Sequence, residues 1–389
     1  MKKISLCLIC GNEDAHILRL LESAKDLIDE LCMVRAIGTA EEDWTFIEAR
    51  NWAIINAKSF KFAEYKNEID GLPHVDHFGN ARNMSFALAT QHWQLWLDCD
   101  DVLTPETCQG IRAHAEDDRH DCYQFGYTKP DGSTCPRERL IRRGAGLWKS
   151  RIHETCIIAS GDLGRDDSIV IEHNPTGIDR PAARARNLTL LQLALQDTPL
   201  TQEDKARLEF YYHSELFWLW EQDRTNENNR LDAVAAGNQA MMDLAVAKHD
   251  DRYKVLLQLA ELQPALALRH LHYATEISPQ RREAWALKSQ KSLRENAVHH
   301  AAAWFTMMDA LPKPFPPPWN HDRIWDKGEW GRDYLRVKIM RADPAQAEAA
   351  EIAHASNLKR PAYAAAVAEY EVGSTPASGV VFGASPETS

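Results

Sequence analysis

An apolar run that stops abruptly on three carboxylates leaves few folds open to this chain: Trp93 to Leu97 leads directly into Asp98-Cys99-Asp100-Asp101. Apolar residues leading into acids place those acids at the end of a buried strand, not on a solvated helix. Residues i and i+2 of a strand point the same way, so Asp98 and Asp100 are expected to converge on one ligand. Paired carboxylates at such an edge suit a hard divalent cation that also holds phosphate oxygens. The competing reading is an Asp-rich turn capping the next helix, with Thr104-Pro105-Glu106 as the helix start.

Upstream, Ile4 to Ile9 is a nearly continuous apolar run, as in a strand covered on both faces. Ala15 to Ile28 carries a helical stripe of Ile17, Leu20, Leu21, Ala24, Leu27 and Ile28. Glu30 to Ile37 reads as a second strand, and Arg82 to Thr90 as a helix leading into the acidic third strand. This alternation predicts an α/β domain with a parallel sheet and a ligand crevice at the carboxyl ends of its strands. The first apolar run ends at Gly11-Asn12-Glu13-Asp14 with no small-residue cleavage site, so it reads as a strand and not a signal peptide. No apolar run reaches the roughly 18–20 residues that span a bilayer, and the expected location is the cytoplasm.

All eight cysteines precede residue 160. Cys7 and Cys10, three apart on a strand, face opposite ways and are expected to be ordinary buried thiols, neither metal ligands nor a disulfide. A formal charge of −12 argues against a protein coated in nucleic acid. From Pro181 the composition turns to long helices rich in Ala, Leu, Gln and aromatics. Ala240-Met241, Ala274-Thr275 and Met307-Met308 recur about 34 residues apart, the period of tetratricopeptide-like hairpins, with an irregular bundle as the alternative. The expected division is a sheet domain over 1–180, a helical domain over 181–345, a terminal helical segment over 346–372 and a disordered Gly/Ser/Pro/Thr-rich tail over 373–389.

In order along the first 220 residues, several segments resemble the family 2 glycosyltransferases of GT-A fold, in particular the branch with a tetratricopeptide-like C-terminal region. These are Ile4 to Glu13, Phe78-Gly79-Asn80-Ala81-Arg82-Asn83, Asp98 to Asp101, Trp148 to Glu154, Ile171-Glu172-His173 and Arg186-Asn187-Leu188. The resemblance implies a GT-A, Rossmann-like nucleotide-sugar-binding sheet domain followed by an all-α domain. It implies metal-dependent, inverting transfer of a sugar from a nucleotide-sugar donor, with UDP-sugar expected and Mn²⁺ or Mg²⁺ as cofactor. Cys10, Asn12, Glu13, Gly38, Arg82 and Asp98 would bind the donor, and Asp100, Asp98 and His173 the metal. Arg82, read at a helix start, would grip the diphosphate with help from the helix's positive end. Glu154 is favoured over His153 as the base, because neighbours on an extended segment point apart. Ala36 stands where the family usually places the aspartate that contacts the nucleobase.

The implied acceptor is a macromolecule: a protein or peptide, a glycan or, against the net charge, a hydroxymethylated base in DNA. The stretch from Lys129 to Arg151 is basic through Arg137, Arg139, Arg142, Arg143, Lys149 and Arg151, and could recruit a phosphorylated or nucleic-acid acceptor. Two other classes stay open: a degenerate transferase fold acting as a repeat-based adaptor, and a nucleotidyltransferase.

Overall fold

The computed structural model describes residues 1–128, 134–174, 180–243, 249–311 and 329–359. The chain divides into two compact units, Met1–Thr198 and the residues from Pro199 on.

The first unit runs β1 (Ile4–Cys10), α1 (Ile17–Ala24), β2 (Glu30–Arg35), α2 (Thr45–Ile55), β3 (Ser59–Glu64), α3 (Phe78–Leu88), β4 (Trp93–Trp96), β5 (Asp101–Val102), α4 (Pro105–Asp117), β6 (Cys122–Thr128), β7 (Thr134–Arg142), β8 (Gly146–Lys149), β9 (Thr155–Ile158), β10 (Leu163–His173) and α5 (Arg180–Ala194). Eight strands form one sheet in the order β3-β2-β1-β4-β7-β6-β10-β5, and β8 pairs with β9 separately. The first four strands of that order are parallel, whereas β7 runs antiparallel to both β4 and β6, so the sheet is mixed. This is the expected α/β sheet domain with helices following, except that the sheet is not parallel throughout.

β1 is covered on both faces. Ile4, Leu6, Leu8 and Cys10 join a core with Leu20, Leu21, Trp52 and Ile111, from α1, α2 and α4. Cys7 joins the opposite core with Phe86 of α3, Trp96 and Trp148. The two thiols of Cys7 and Cys10 therefore lie on opposite faces of the sheet, as their spacing requires. α2 and β3 escape the sequence reading, and the acidic strand is the fourth in chain order, not the third.

Two local expectations are corrected. α3 starts at Phe78, capped by His77, whose Nδ1 accepts from the Asn80 amide at 3.1 Å. Arg82 therefore sits a full turn inside the helix. The Phe78 and Gly79 amides donate to the carbonyls of Arg151 and Ser150, so the first-turn donors are already engaged by the protein. Histidine is an uncommon cap, which is why the sequence hides this boundary. Second, β4 ends at Trp96, and Asp98 to Asp101 form a turn closed by the Asp101 amide donating to the Asp98 carbonyl at 3.0 Å. The acids are therefore placed by that turn and not by strand alternation. The capping reading holds beside it: Thr104 caps α4 with Pro105 in its first turn.

The second unit comprises α6 (Gln202–Gln222), α7 (Glu227–Asp243), α8 (His249–Leu262), α9 (Ala267–Ile277), α10 (Arg282–Arg294), α11 (Val298–Ala310), α12 (Glu329–Ala342) and α13 (Ala347–Asn357). The helices pack in successive pairs, α6 on α7, α8 on α9, α10 on α11 and α12 on α13. Ala240, Ala274 and Met308, the residues of the apparent period, are all buried on the second helix of a pair. Tyr253, Leu257, Leu271 and Ala284 tie α8, α9 and α10 into one core, which Ala286, Phe305 and Leu335 continue into α11 and α12. The Pro- and Trp-rich segment from 312 and the tail over 373–389 lie outside the described residues. Among the described residues, no helix is long and apolar enough to cross a membrane.

Candidate active site

A pocket of about 340 Å³ opens at the carboxyl ends of β1, β2 and β4. Cys10, Asn12, Glu13, Arg82, Asp98 and Asp100 line it, so six of the residues singled out in the sequence share one cavity. Ala36 lines it too, as do Pro73, His74 and Val75 from a loop the sequence gave no reason to single out. Arg186 of α5 completes the wall. Gly38 is absent from the lining but shapes it: at φ +62°, any Cβ there would meet the Leu72 carbonyl at 2.4 Å and the His74 carbonyl at 2.5 Å.

Arg82 is the hinge of the site. Its Nε donates to Glu154 Oε1 at 2.6 Å and its Nη2 to Asp98 Oδ1 at 2.9 Å, while the guanidinium lies over Trp96 and near Trp148. The neighbouring Asn83 clasps the backbone of Trp148 on both sides, donating to its carbonyl and accepting from its amide, each at 2.9 Å. The Arg-Asn pair thus holds the segment that leads to Glu154. Burial works to raise the Asp98 carboxyl, but the Arg82 and Arg139 charges outweigh it and bring it down to about 2. The fork expected to grip a diphosphate is therefore turned on two of the protein's own carboxylates.

Glu154 is buried, and its Oε2 has no hydrogen-bond partner among the described residues. It pairs with Arg82 and not with its sequence neighbour Arg151. His153 adopts φ +51°, in the left-handed region. Neither residue lines the pocket described above.

On the other side of the acidic turn, the antiparallel register pairs His173 with Asp101. His173 Nδ1 lies 3.3 Å from both Asp100 Oδ1 and Asp101 Oδ1. Burial would lower this imidazole, but the two carboxylates raise it to about 9. Asp100, Asp101 and His173 could together hold a metal ion. Of the residues expected at a metal, Asp100 and His173 belong to this group, with Asp101 beside them, and Asp98 does not.

Asp101 is fully buried and already well served. Its Oδ1 accepts from Tyr127 at 3.0 Å, and its Oδ2 accepts the Asp98 amide at 2.9 Å and faces Arg139 Nη1 at 3.3 Å. Asp101 therefore braces the turn and orients His173. That leaves Asp100 and His173 as the groups with most to offer a cation, a carboxylate and an imidazole that fit a hard-to-borderline divalent ion such as Mn²⁺.

The basic stretch before Arg151 is not an open patch. Arg139 is buried and stacks on Trp96 and Tyr127. Arg142 pairs with Asp118 and Asp121, and Arg151 with Asp197 and Glu68. Three of the six cations that read as a groove in the sequence are thus engaged by the protein itself, while Arg143 and Lys149 are exposed.

Residues 40–165 match the model of the family described as Glycosyl transferase family 2. The matched span holds Arg82, the acidic turn and Glu154. A TPR repeat-containing protein of Synechococcus elongatus is 28% identical over 142 residues, 36% of this chain and 31% of that protein's length. Among solved structures, S. aureus TarS is 14% identical over 71% of this chain and 53% of that chain, with a TM-score of 0.37. Glucosyl-3-phosphoglycerate synthase from Mycobacterium tuberculosis, in complex with Mn²⁺ and uridine-diphosphate-glucose, is 14% identical over 49% of this chain and 78% of that chain, with a TM-score of 0.33.

Proposed function

We propose that the chain is an inverting glycosyltransferase that moves a sugar from a nucleoside diphosphate sugar to a nucleophile on a macromolecular acceptor. One observation carries the reading furthest. Within a glycosyltransferase-family domain, a single buried arginine joins the pocket carboxylate Asp98 to Glu154, whose second oxygen is buried without a partner. A buried, unpaired carboxylate oxygen is costly, and one that accepts the proton of an incoming hydroxyl turns that cost to use.

In this reading Asn12, Glu13 and the backbone around Gly38 hold the nucleoside, and Asp98 the ribose. A divalent cation held by Asp100 and His173 would neutralise the departing nucleoside diphosphate. Glu154 takes the acceptor proton, with His153 as the alternative, while Arg82 fixes Glu154 against Asp98. With no carboxylate at Ala36, the nucleobase is read by the wall of Pro73 to Val75, and uridine diphosphate sugars are the first donors to test.

The paired helices, read as tetratricopeptide-like, recruit the acceptor. They contain a cleft of about 300 Å³ whose floor includes Trp220, Leu257 and Leu287 and whose polar residues include Arg224 and Arg294. Stacked helical pairs make concave surfaces suited to a polypeptide or glycan. With a formal charge of −12 and Arg139, Arg142 and Arg151 of the basic stretch already engaged, a DNA base is the least favoured acceptor. The test is a donor panel with Mn²⁺, scored for released nucleoside diphosphate with and without candidate acceptors. Released pyrophosphate would make the protein a nucleotidyltransferase, and donor binding without turnover would make it an adaptor.

A further inference from the structure

β1 and β4 are parallel neighbours whose register pairs Ile4 with Trp93 and Cys7 with Trp96. Carried past the strand ends, the same offset sets Cys10 beside Cys99. Their sulfurs lie 3.1 Å apart, and both residues line the pocket that holds Asp98 and Asp100. Cys10 precedes the Gly11-Asn12-Glu13 turn, and Cys99 stands between the two carboxylates of the acidic turn. Adjacent strands run about 4.8 Å apart, within the range of Cα separations that a disulfide bridges.

We propose that Cys10 and Cys99 form a reversible dithiol–disulfide pair whose oxidation by a small peroxide closes the donor pocket. The consequence for the donor rests on the glycosyltransferase reading; the bond itself does not. Hydrogen peroxide oxidises the Cys99 thiol to a sulfenic acid and leaves as one water. The Cys10 sulfur then attacks the Cys99 sulfur, the S–O bond breaks, and a second water carries away the hydroxyl and the Cys10 proton. Two thiols and one peroxide become one disulfide and two waters, and a dithiol reductant reverses the change. Bringing the sulfurs from 3.1 Å to a bond of about 2.05 Å takes roughly 1 Å of movement, shared between the two side chains and the acidic turn that carries Cys99. Donor sites tolerate displacements of only about half that.

A second pair supplies the control. Cys7 and Cys32 are also in register, on β1 and β2, and both sit in the core on the α3 side, away from the pocket. Register alone would make the two pairs equivalent; access to the pocket separates them.

The test uses the full chain, reduced and then exposed to hydrogen peroxide, with free thiols alkylated under denaturing conditions. Fragment-ion mass spectrometry should find a Cys10–Cys99 crosslink that dithiothreitol removes, that Cys10→Ala and Cys99→Ala each lack, and that leaves Cys7 and Cys32 alkylated. Titration with UDP and Mn²⁺ should show at least tenfold weaker binding to the oxidised protein, restored by reduction. No crosslink, or equal crosslinking of Cys7 to Cys32, overturns the inference, as does a crosslinked protein that binds UDP unchanged. If the reduced protein fails to bind any nucleoside diphosphate, the donor reading falls, while the crosslink is still decided by mass alone.

Discussion

Replacing Arg82 by methionine isolates what its charge does, because methionine can fill the space between Trp96 and Trp148 without the guanidinium. The substitution removes two charge-assisted hydrogen bonds, at 2.6 and 2.9 Å, and leaves Asp98 and Glu154 facing one another. Their side chains are 20% and 5% exposed, so solvent replaces the lost partner only in part at Asp98 and hardly at all at Glu154. Breaking such a buried pair costs about 3–5 kcal/mol. Roughly 2 kcal/mol of that belongs to Asp98 alone, as the free energy of holding its carboxyl near 2 instead of in the ordinary aspartate range. The sign with pH follows. A depressed carboxyl stabilises the fold above the ordinary aspartate pKa, and that stabilisation is lost as pH falls toward 2. In Arg82→Met burial dominates Asp98, so the deficit is largest at neutral pH and shrinks on acidification. Urea unfolding followed by circular dichroism at about pH 7 and about pH 4 measures both numbers. Arg82→Lys should fall between, since one ammonium cannot span both carboxylates in the guanidinium geometry. A loss under about 1 kcal/mol, or one independent of pH, would refute the triad as the site's organising contact.

Asp100→Asn should keep the fold and abolish turnover, and EDTA should do the same to the parent protein, reversibly with Mn²⁺; activity surviving either treatment removes the metal from the mechanism. Glu154→Gln keeps the shape of the side chain and should lower kcat by 10²-fold or more, as loss of a general base does; His153→Ala should leave kcat within a few-fold, and the reverse ranking would reassign the base. Glu30 accepts from Ser5 and Thr90; burial opposes its charge, but these bonds hold it down to about 2, so Glu30→Gln should cost about 3 kcal/mol near neutrality. That gap should close as pH falls from the ordinary glutamate range toward 2, and a gap that does not close under acid would show the effect to be packing. Gly38→Ala puts a methyl against the Leu72 and His74 carbonyls, and should weaken UDP binding at least tenfold while circular dichroism stays unchanged; normal UDP affinity would remove the 72–75 wall from the donor site.

The sheet was legible because its strands are buried on both faces: Ile4 to Cys10 alternates between two cores yet is apolar at nearly every position. α2 and β3 were not, because α2 exposes Ile47, Ile54 and Ile55 and β3 is an edge strand whose residues are only partly covered. Their patterns lack the contrast between faces on which periodicity depends. The residues of the site were legible as types, since Asp98, Asp100, Glu13 and Arg82 do share a pocket. Their partners were not, because partnership was set by contacts distant in sequence.

Arg82 shows how the misreading arose. Placed at a helix start, it had only a phosphate to meet; placed a turn later, it faces carboxylates from residues 98 and 154. The same long-range register decides the metal side, where β10 returns antiparallel to β5 and sets His173 opposite Asp101. Three consecutive functions then fall on one turn of the chain. Asp98 looks toward Arg82, Asp100 lines the pocket beside His173, and Asp101 ties the turn to Arg139 and Tyr127. A turn can aim adjacent carboxylates in different directions, whereas a strand would have sent Asp98 and Asp100 the same way. The different directions of these acids, one toward Arg82, one toward His173 and one inward as a brace, are a property of the turn that closes at Asp101.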